Sequence, residues 1–321
     1  TFVWKKAVTK NQAKLLIKLA DFVAECEQLY DIKIVYGNVI KIKHLKRLRK
    51  KLYALKNAGN ITFVHGIGKR KTPLQKSIEA LEEALSKLKE YTQKIHICGE
   101  RNSYSKTDND ATFMRMKEDA MGNGQLKPAF NLQHGVDSEY ITWLTIGPQP
   151  TDTTTLIPFL KDAEQHLKFK YKNITADAGY ESEENYLFLE ANNQIAFIKP
   201  ANYEISKTRK YKNDIGKIEN MEYDKISDFY TCKNNRKLTV SHIRHNKTKT
   251  GYVSEKTIYT CENCNDCSYK SDCIKGNNCK TPLGERTKVL QVAKTFIKHR
   301  KEDLERIISD EGVLYRMNRS I

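Results

Sequence analysis

Residues 171–180 read YKNITADAGY. Ile174 and its neighbours predict a short buried strand, and Asp177 falls where that strand should end. Gly179 permits a sharp turn. Ser182 is placed to cap a helix starting at Glu183, with Glu183 and Glu184 in its first turn. A carboxylate at the carboxyl end of a strand, just before a turn into a helix, points into the crevice where α/β sheets hold ligands. Aspartate is also common as the simple closer of a strand-to-helix loop. The local pattern leaves both readings of Asp177 open.

The surrounding chain supplies the rest of a sheet. AFNLQHGVD from Ala129 alternates, and YITWLTIGPQP from Tyr140 is rich in β-branched and aromatic residues. Asp137, Ser138 and Glu139 between them are turn residues, so an antiparallel hairpin is predicted. Thr153 to Leu167 predicts a helix with Leu156, Ile157, Leu160, Ala163 and Leu167 on one face; Pro158 is tolerable only in its first turn. A helix at Glu183–Asn192 and a strand at Gln194–Pro200 follow Asp177. Hairpin, helix, strand, helix, strand is a mixed α/β unit, neither a bundle nor eight alternating βα units.

Residues 1–96 predict a helical, basic region. Apolar positions from Asn11 to Leu29 recur at helical spacing, and IKIVYGNVI at Ile32–Ile40 predicts a short strand. The run Lys41–Lys56 carries eight Lys or Arg and no acid, with Ile42, Leu45, Leu48, Leu52 and Leu55 on one face. Such a helix can lie on DNA phosphates or simply present a solvated charged face. Thr72-Pro73 opens a further helix, Leu74 to Thr92, completing a hairpin or small bundle. Residues 97–130 read as polar and irregular. Within them Asp108 and Asp110 suit either a metal-side pair or an Asx-type turn.

The chain of 321 residues carries a formal charge of +17. That surplus suits a polyanion such as DNA or RNA, unless it reflects only Lys-rich composition. The nominated DNA contacts are Lys46, Arg47, Arg49, Lys50 and Lys51, with a second patch of Lys294, Lys298, His299, Arg300 and Lys301 in a predicted basic helix from Thr287 to Arg306. No apolar run is long enough to span a membrane. The opening TFVWKKAVTK has neither a signal-peptide core nor an initiator Met, so the N-terminus reads as cut from something longer. A metabolic α/β enzyme finds no support, because there is no Gly-rich phosphate loop or nucleophile elbow.

Six of the eight Cys lie between Cys232 and Cys279, in a polar segment 201–285 that reads as an insertion with strand-like pieces. CENCNDCSYKSDC spaces Cys261, Cys264, Cys267 and Cys273 as C-x2-C-x2-C-x5-C. Paired C-x2-C steps favour tetrahedral Zn2+ bound by thiolates, as a structural site. Cys232 is an alternative fourth ligand. Ferredoxin-like spacing leaves an iron–sulfur cluster open, although the usual final Cys followed by Pro is absent.

Several motifs together resemble a known family. ATFMRMKEDAMGNGQLKPAFNLQHGVDSEYITWLTIGPQPTDTTTLIPFL, ITADAGYESEENYLFLE, FIKP and the CENCNDC stretch are similar to DDE transposases of bacterial insertion sequences, nearest the 1182-type group. The resemblance implies a ribonuclease-H-like mixed sheet with an N-terminal helical region and a Cys-rich insertion. It implies domains at 1–96 (helical, basic), 97–200 (catalytic core), 201–285 (Cys-rich) and 286–321 (start of the C-terminal helical part). It implies Mg2+-dependent strand cleavage and strand transfer, with Asp177 as second catalytic acid and metal ligand. The partners expected are double-stranded DNA at transposon ends and target, and a second copy of the chain, in the bacterial cytoplasm at the nucleoid. In the family the first Asp precedes a TFVWKK-like segment and the final Glu follows a Tyr- and Arg-bearing one. Here these segments are at Thr1 and at Tyr315–Arg319, so both acids are expected outside the chain and the 321 residues alone are expected to be inactive. The rival reading is a non-catalytic, zinc-structured DNA-binding remnant.

Overall fold

The computed structural model describes residues 1–116, 121–276 and 279–318. The chain divides into two compact units, residues 1–131 with 147–150, and residues 132–146 with 151–321.

The first unit is built on three helices: α1 (Lys5–Tyr30), α2 (Ile42–Ala58) and α3 (Pro73–Cys98), preceded by the short strand β1 (Phe2–Trp4). The predicted stripe of α2 is its buried face: Leu45, Leu48 and Leu52 are wholly buried with Val23 of α1 and Ile78, Leu81 and Leu88 of α3. Each such side chain contributes about 1.5–3 kcal/mol by leaving water. Thr72 caps α3 by accepting the Gln75 amide at 3.2 Å, with Pro73 in the first turn. The buried Gln75 side chain bonds both backbone groups of Val64, at 2.7 and 3.0 Å, and so holds the α2–α3 connection down.

Two expectations fail in this unit. Ile32–Ile40 forms no strand; Ile34 and Ile40 are buried individually against the bundle, and no neighbouring strand pairs with the segment. Residues 97–130 are not irregular throughout. They hold β2 (Ser103–Ser105), antiparallel to β1, and the pair β3 (Thr112–Arg115) and β4 (Leu126–Ala129). These strands are too short and polar to show an alternating pattern. Asp108 and Asp110 form the Asx turn, with the Asp110 amide 3.0 Å from Asp108 Oδ1.

The second unit opens on the hairpin β5 (Asn131–Asp137) and β6 (Tyr140–Gly147). Its turn residues Ser138 and Glu139 both have positive φ, 50° and 71°, the backbone of a tight hairpin whose twist matches its strands. Then come α4 (Leu156–Leu167), β7 (Asn173–Ala176), α5 (Glu183–Ala191) and β8 (Ile195–Ile198) in the predicted order. Strands β7 and β8 are parallel, with Ile174 opposite Ala196, and bury a small core of Leu156, Ile174, Tyr186, Leu189 and Ile198. The mixed α/β class therefore holds. Among the described residues the hairpin and the β7–β8 pair are separate two-stranded sheets, and Leu132, Val136, Ile141, Leu144 and Ile146 of the hairpin are exposed.

Short helices α6 (Tyr203–Ser206) and α7 (Arg209–Lys212) lead into a five-stranded antiparallel sheet. Its members are β9 (Glu222–Asp224), β10 (Phe229–Thr231), β11 (Lys237–Lys247), β12 (Val253–Cys261) and β13 (Val289–Val292), in the order β13-β12-β11-β10-β9. Among its described residues the loop from β12 to β13 carries the one-turn helix α8 (Lys270–Cys273) and a 3-10 turn. Helices α9 (Lys294–Ile308) and α10 (Asp310–Asn318) close the chain. The predicted helix at Thr287 is thus corrected. Val289–Val292 alternates exposed and buried residues as an edge strand of this sheet, and the helix starts only at Lys294. Among the described residues no helix is long and apolar enough to cross a membrane.

Candidate active site

Strand β7 ends at Ala176, and Asp177 stands at its carboxyl end with its side chain half-buried. Asp177 Oδ1 accepts the Gly179 amide at 2.8 Å and caps the 3-10 turn Ala178–Tyr180. Ser182 Oγ then accepts the Asn185 amide at 3.1 Å and starts α5, as the sequence indicates. Gly179 is needed for a different reason than the one expected. Its φ is not positive, but a Cβ there would lie 2.9 Å from Asp152 Oδ2 and 3.0 Å from Asp177 Oδ1. A side chain there would have to displace the ends of both carboxylates.

Asp152 is the neighbour the sequence did not suggest. It lies in the turn before α4, and its Oδ1 accepts Gln133 Nε2 at 3.0 Å. Tyr180 OH donates to Gln133 Oε1. The hairpin, the turn before α4 and the turn after β7 therefore meet beside Asp177. Hard carboxylate oxygens at such a place suit Mg2+, and Asp177 is the residue that would hold the ion. Among the described residues no three His, Cys, Asp or Glu side chains stand as ligands of one ion.

Behind the turn lies a buried ionic network. Glu181, whose side chain is almost wholly buried, takes a bidentate pair from Arg300 of α9 at 2.6 and 2.8 Å and the Ala201 amide at 2.8 Å. Asp303, one helical turn on, is fully buried and accepts the Ile198 amide at 3.1 Å and Tyr186 OH at 3.3 Å. Burial pushes the Asp303 carboxyl up to about 7, against the pull of its Ile198 hydrogen bond and of Arg306. Burial, with Asp303 and Glu181 close by, also pushes the Tyr186 hydroxyl far above its usual range. The network fixes α9 against β8 and the Asp177 turn.

Arg300 is therefore committed to Glu181 rather than presented to phosphate. Lys298 and Lys301 of the same helix are exposed. On α2, Lys46, Arg47, Arg49, Lys50 and Lys51 all stand on the exposed face; Lys51 Nζ also donates to the Lys33 carbonyl at 2.7 Å. His299 is buried and stacked on Tyr186, and Lys294 is paired with Asp228 at 2.7 Å.

The cysteines gather elsewhere in the second unit. Cys232, Cys261, Cys264, Cys267 and Cys273 line one cavity of about 20 Å3, together with Arg236, Lys270 and Lys288. Cys279 is exposed and outside it. Burial pushes the Cys261 thiol up to about 12 and raises that of Cys273 as well.

The chain matches the family model of the transposase DDE domain over residues 101–300, a span that takes in the hairpin, the Asp177 turn and the whole five-stranded sheet. No curated protein and no solved structure matches. The family match covers well over half of the 321 residues and includes the carboxylate at the end of β7: the chain belongs to the transposase DDE domain family.

Proposed function

We propose that the chain belongs to an insertion-sequence transposase of the 1182-type group, a protein that cuts DNA at transposon ends and joins it to a target. The observation that carries the reading is Asp177, set at the carboxyl end of a parallel strand inside the matched span, with the Asp152 carboxylate beside the same turn. A divalent ion bound there would polarise a phosphoryl oxygen and activate the attacking hydroxyl. The protein's own part is to hold the Asp177 carboxylate in place. The Gly179 amide orients it, the Ser182 cap fixes the helix behind it, and the Glu181–Arg300 pair keeps α9 in register.

DNA affinity in this reading comes from phosphate contacts. The exposed face of α2 offers Lys46, Arg47, Arg49 and Lys50, and α9 offers Lys298 and Lys301. Neutralising phosphates releases condensed counterions, so binding falls steeply with salt. The test is excision of a marked element in cells expressing the element's own transposase coding sequence. Asp177→Asn should abolish excision while leaving the salt-dependent affinity of the protein for duplex DNA unchanged. Excision at the wild-type level by Asp177→Asn would refute the assignment. DNA binding without metal-dependent cleavage in the unsubstituted protein would instead support a non-catalytic remnant.

A further inference from the structure

The β12–β13 loop, residues 262–288, has a difficulty that the sheet beneath it does not solve. It is long, polar and nearly devoid of regular structure, and the apolar side chains it packs against the core are Cys264, Cys273 and Ile274. Loops of this length need a reason to be ordered, because so little apolar burial cannot offset their conformational entropy. What the loop does bring to the core is sulfur. Three of its cysteines meet Cys232, from the turn between β10 and β11, and Cys261, the last residue of β12, around a cavity with room for a single atom.

The surroundings distinguish the five thiols. The Cys261 thiol already donates to the Asn263 carbonyl at 3.3 Å and is buried in the core of the five-stranded sheet. One backbone donor already reaches sulfur, and two basic side chains hold the carbonyls around it. The Lys288 amide donates to Cys264 Sγ at 3.3 Å, and Lys288 Nζ ties the carbonyls of Gly216 and Cys273 at 2.7 and 3.0 Å. Arg236 binds the carbonyls of Asn263 and Asn265 at 2.7 and 3.0 Å, holding the Cys264–Cys267 step beside the Cys232 turn. Among the described residues no three of these sulfurs stand at ligand distance from one point.

We propose that Cys232, Cys264, Cys267 and Cys273 bind one structural Zn2+, with Cys261 packing beside the site as a core thiol. This differs from the ligand set that spacing alone suggests, because the turn at Cys232 replaces Cys261. The four ligands come from three separate segments, so the ion cross-links the loop to the β10–β11 turn. Binding deprotonates the four thiols and releases their protons to solvent, with no redox change. The site stands whether or not the chain performs strand transfer.

The experiment is elemental analysis of the chain purified under reducing, chelator-free conditions, followed by cobalt substitution. One zinc per chain is expected, released stoichiometrically as an organomercurial titrates the thiols. The Co2+ form should show thiolate charge-transfer and tetrahedral ligand-field bands, and X-ray absorption of the zinc form should give sulfur neighbours only, at about 2.3 Å. Cys261→Ser and Cys279→Ser should keep the metal, and Cys232→Ser and Cys267→Ser should lose it. If the serine variants fail to fold, the cobalt spectrum and sulfur shell of the unsubstituted chain still decide the issue. Metal-free protein, iron in place of zinc, disulfides among these cysteines, or zinc retained by Cys232→Ser would each overturn the assignment.

Discussion

Asp303→Asn should remove a pH dependence that Asp303 builds into the second unit. In the folded chain this carboxyl is fully buried and titrates at about 7, against an ordinary value of 3.8. The folded state therefore holds a proton that the unfolded chain has released. Stability is full below the unfolded value and is lost as pH rises towards 7, with a limiting slope of about 1.4 kcal/mol per pH unit. Between pH 5 and 8 the loss amounts to about 3 kcal/mol. Asparagine keeps the shape of the protonated acid: one atom still accepts from the Ile198 amide and the other can donate to Tyr186 OH. Urea denaturation at pH 5, 6, 7 and 8 checks the reasoning, because titration of the eight His cancels when wild type and variant are compared at each pH. The difference in unfolding free energy should move in favour of the variant by about 3 kcal/mol over that range. Parallel profiles, or a difference moving the other way, would show that Asp303 is ionised throughout and that its partners outweigh its burial.

Arg300→Ala strands the buried Glu181 carboxylate and should cost about 3 kcal/mol in urea denaturation; an unchanged midpoint would mean the pair does not hold α9. Gly179→Ala should lower excision with far-UV circular dichroism unchanged, since its Cβ would displace the ends of the Asp152 and Asp177 side chains; normal excision would show that the two carboxylates can part at no cost. Leu81→Ala, in the core of the three-helix bundle, should destabilise the first unit by about 2–5 kcal/mol, read as a lower thermal midpoint of the helical signal. Lys46→Glu with Lys50→Glu on the exposed face of α2 should weaken duplex DNA binding and lower the magnitude of its salt slope by about 2; unaltered binding would exclude α2 from the contact.

What could be read in advance was what the chain encodes locally. The α2 stripe at Leu45, Leu48 and Leu52, the Thr72-Pro73 start of α3, the Asp137–Glu139 turn and the Ser182 cap each depend on residues within one or two turns of one another, and each is found. The misses have a common cause in distance along the chain. Strands β1 and β2 pair residues about a hundred positions apart, and β2 and β3 are too short to show a period. Asp177 could be singled out from its strand-turn-helix setting, but Asp152 could not, because only folding brings the two turns together. The commitment of Arg300 to Glu181 was hidden in the same way; its charge suggested phosphate. Cys232, far from the spaced motif in sequence but already an alternative ligand on its residue type, lines the same cavity through the β10–β11 turn.

The hairpin of β5 and β6 bears on how the protein must be handled. Among the described residues neither of its outer edges pairs with a further strand, and Ile141, Leu144 and Ile146 face solvent along one strand with Leu132 and Val136 on the other. An open, greasy ribbon of this kind is a template onto which another chain's strand can zip. The surplus of +17 keeps copies apart at low ionic strength, and added salt removes that protection by screening. The same buffer that strips DNA from the chain during purification should therefore also be the one in which it clumps.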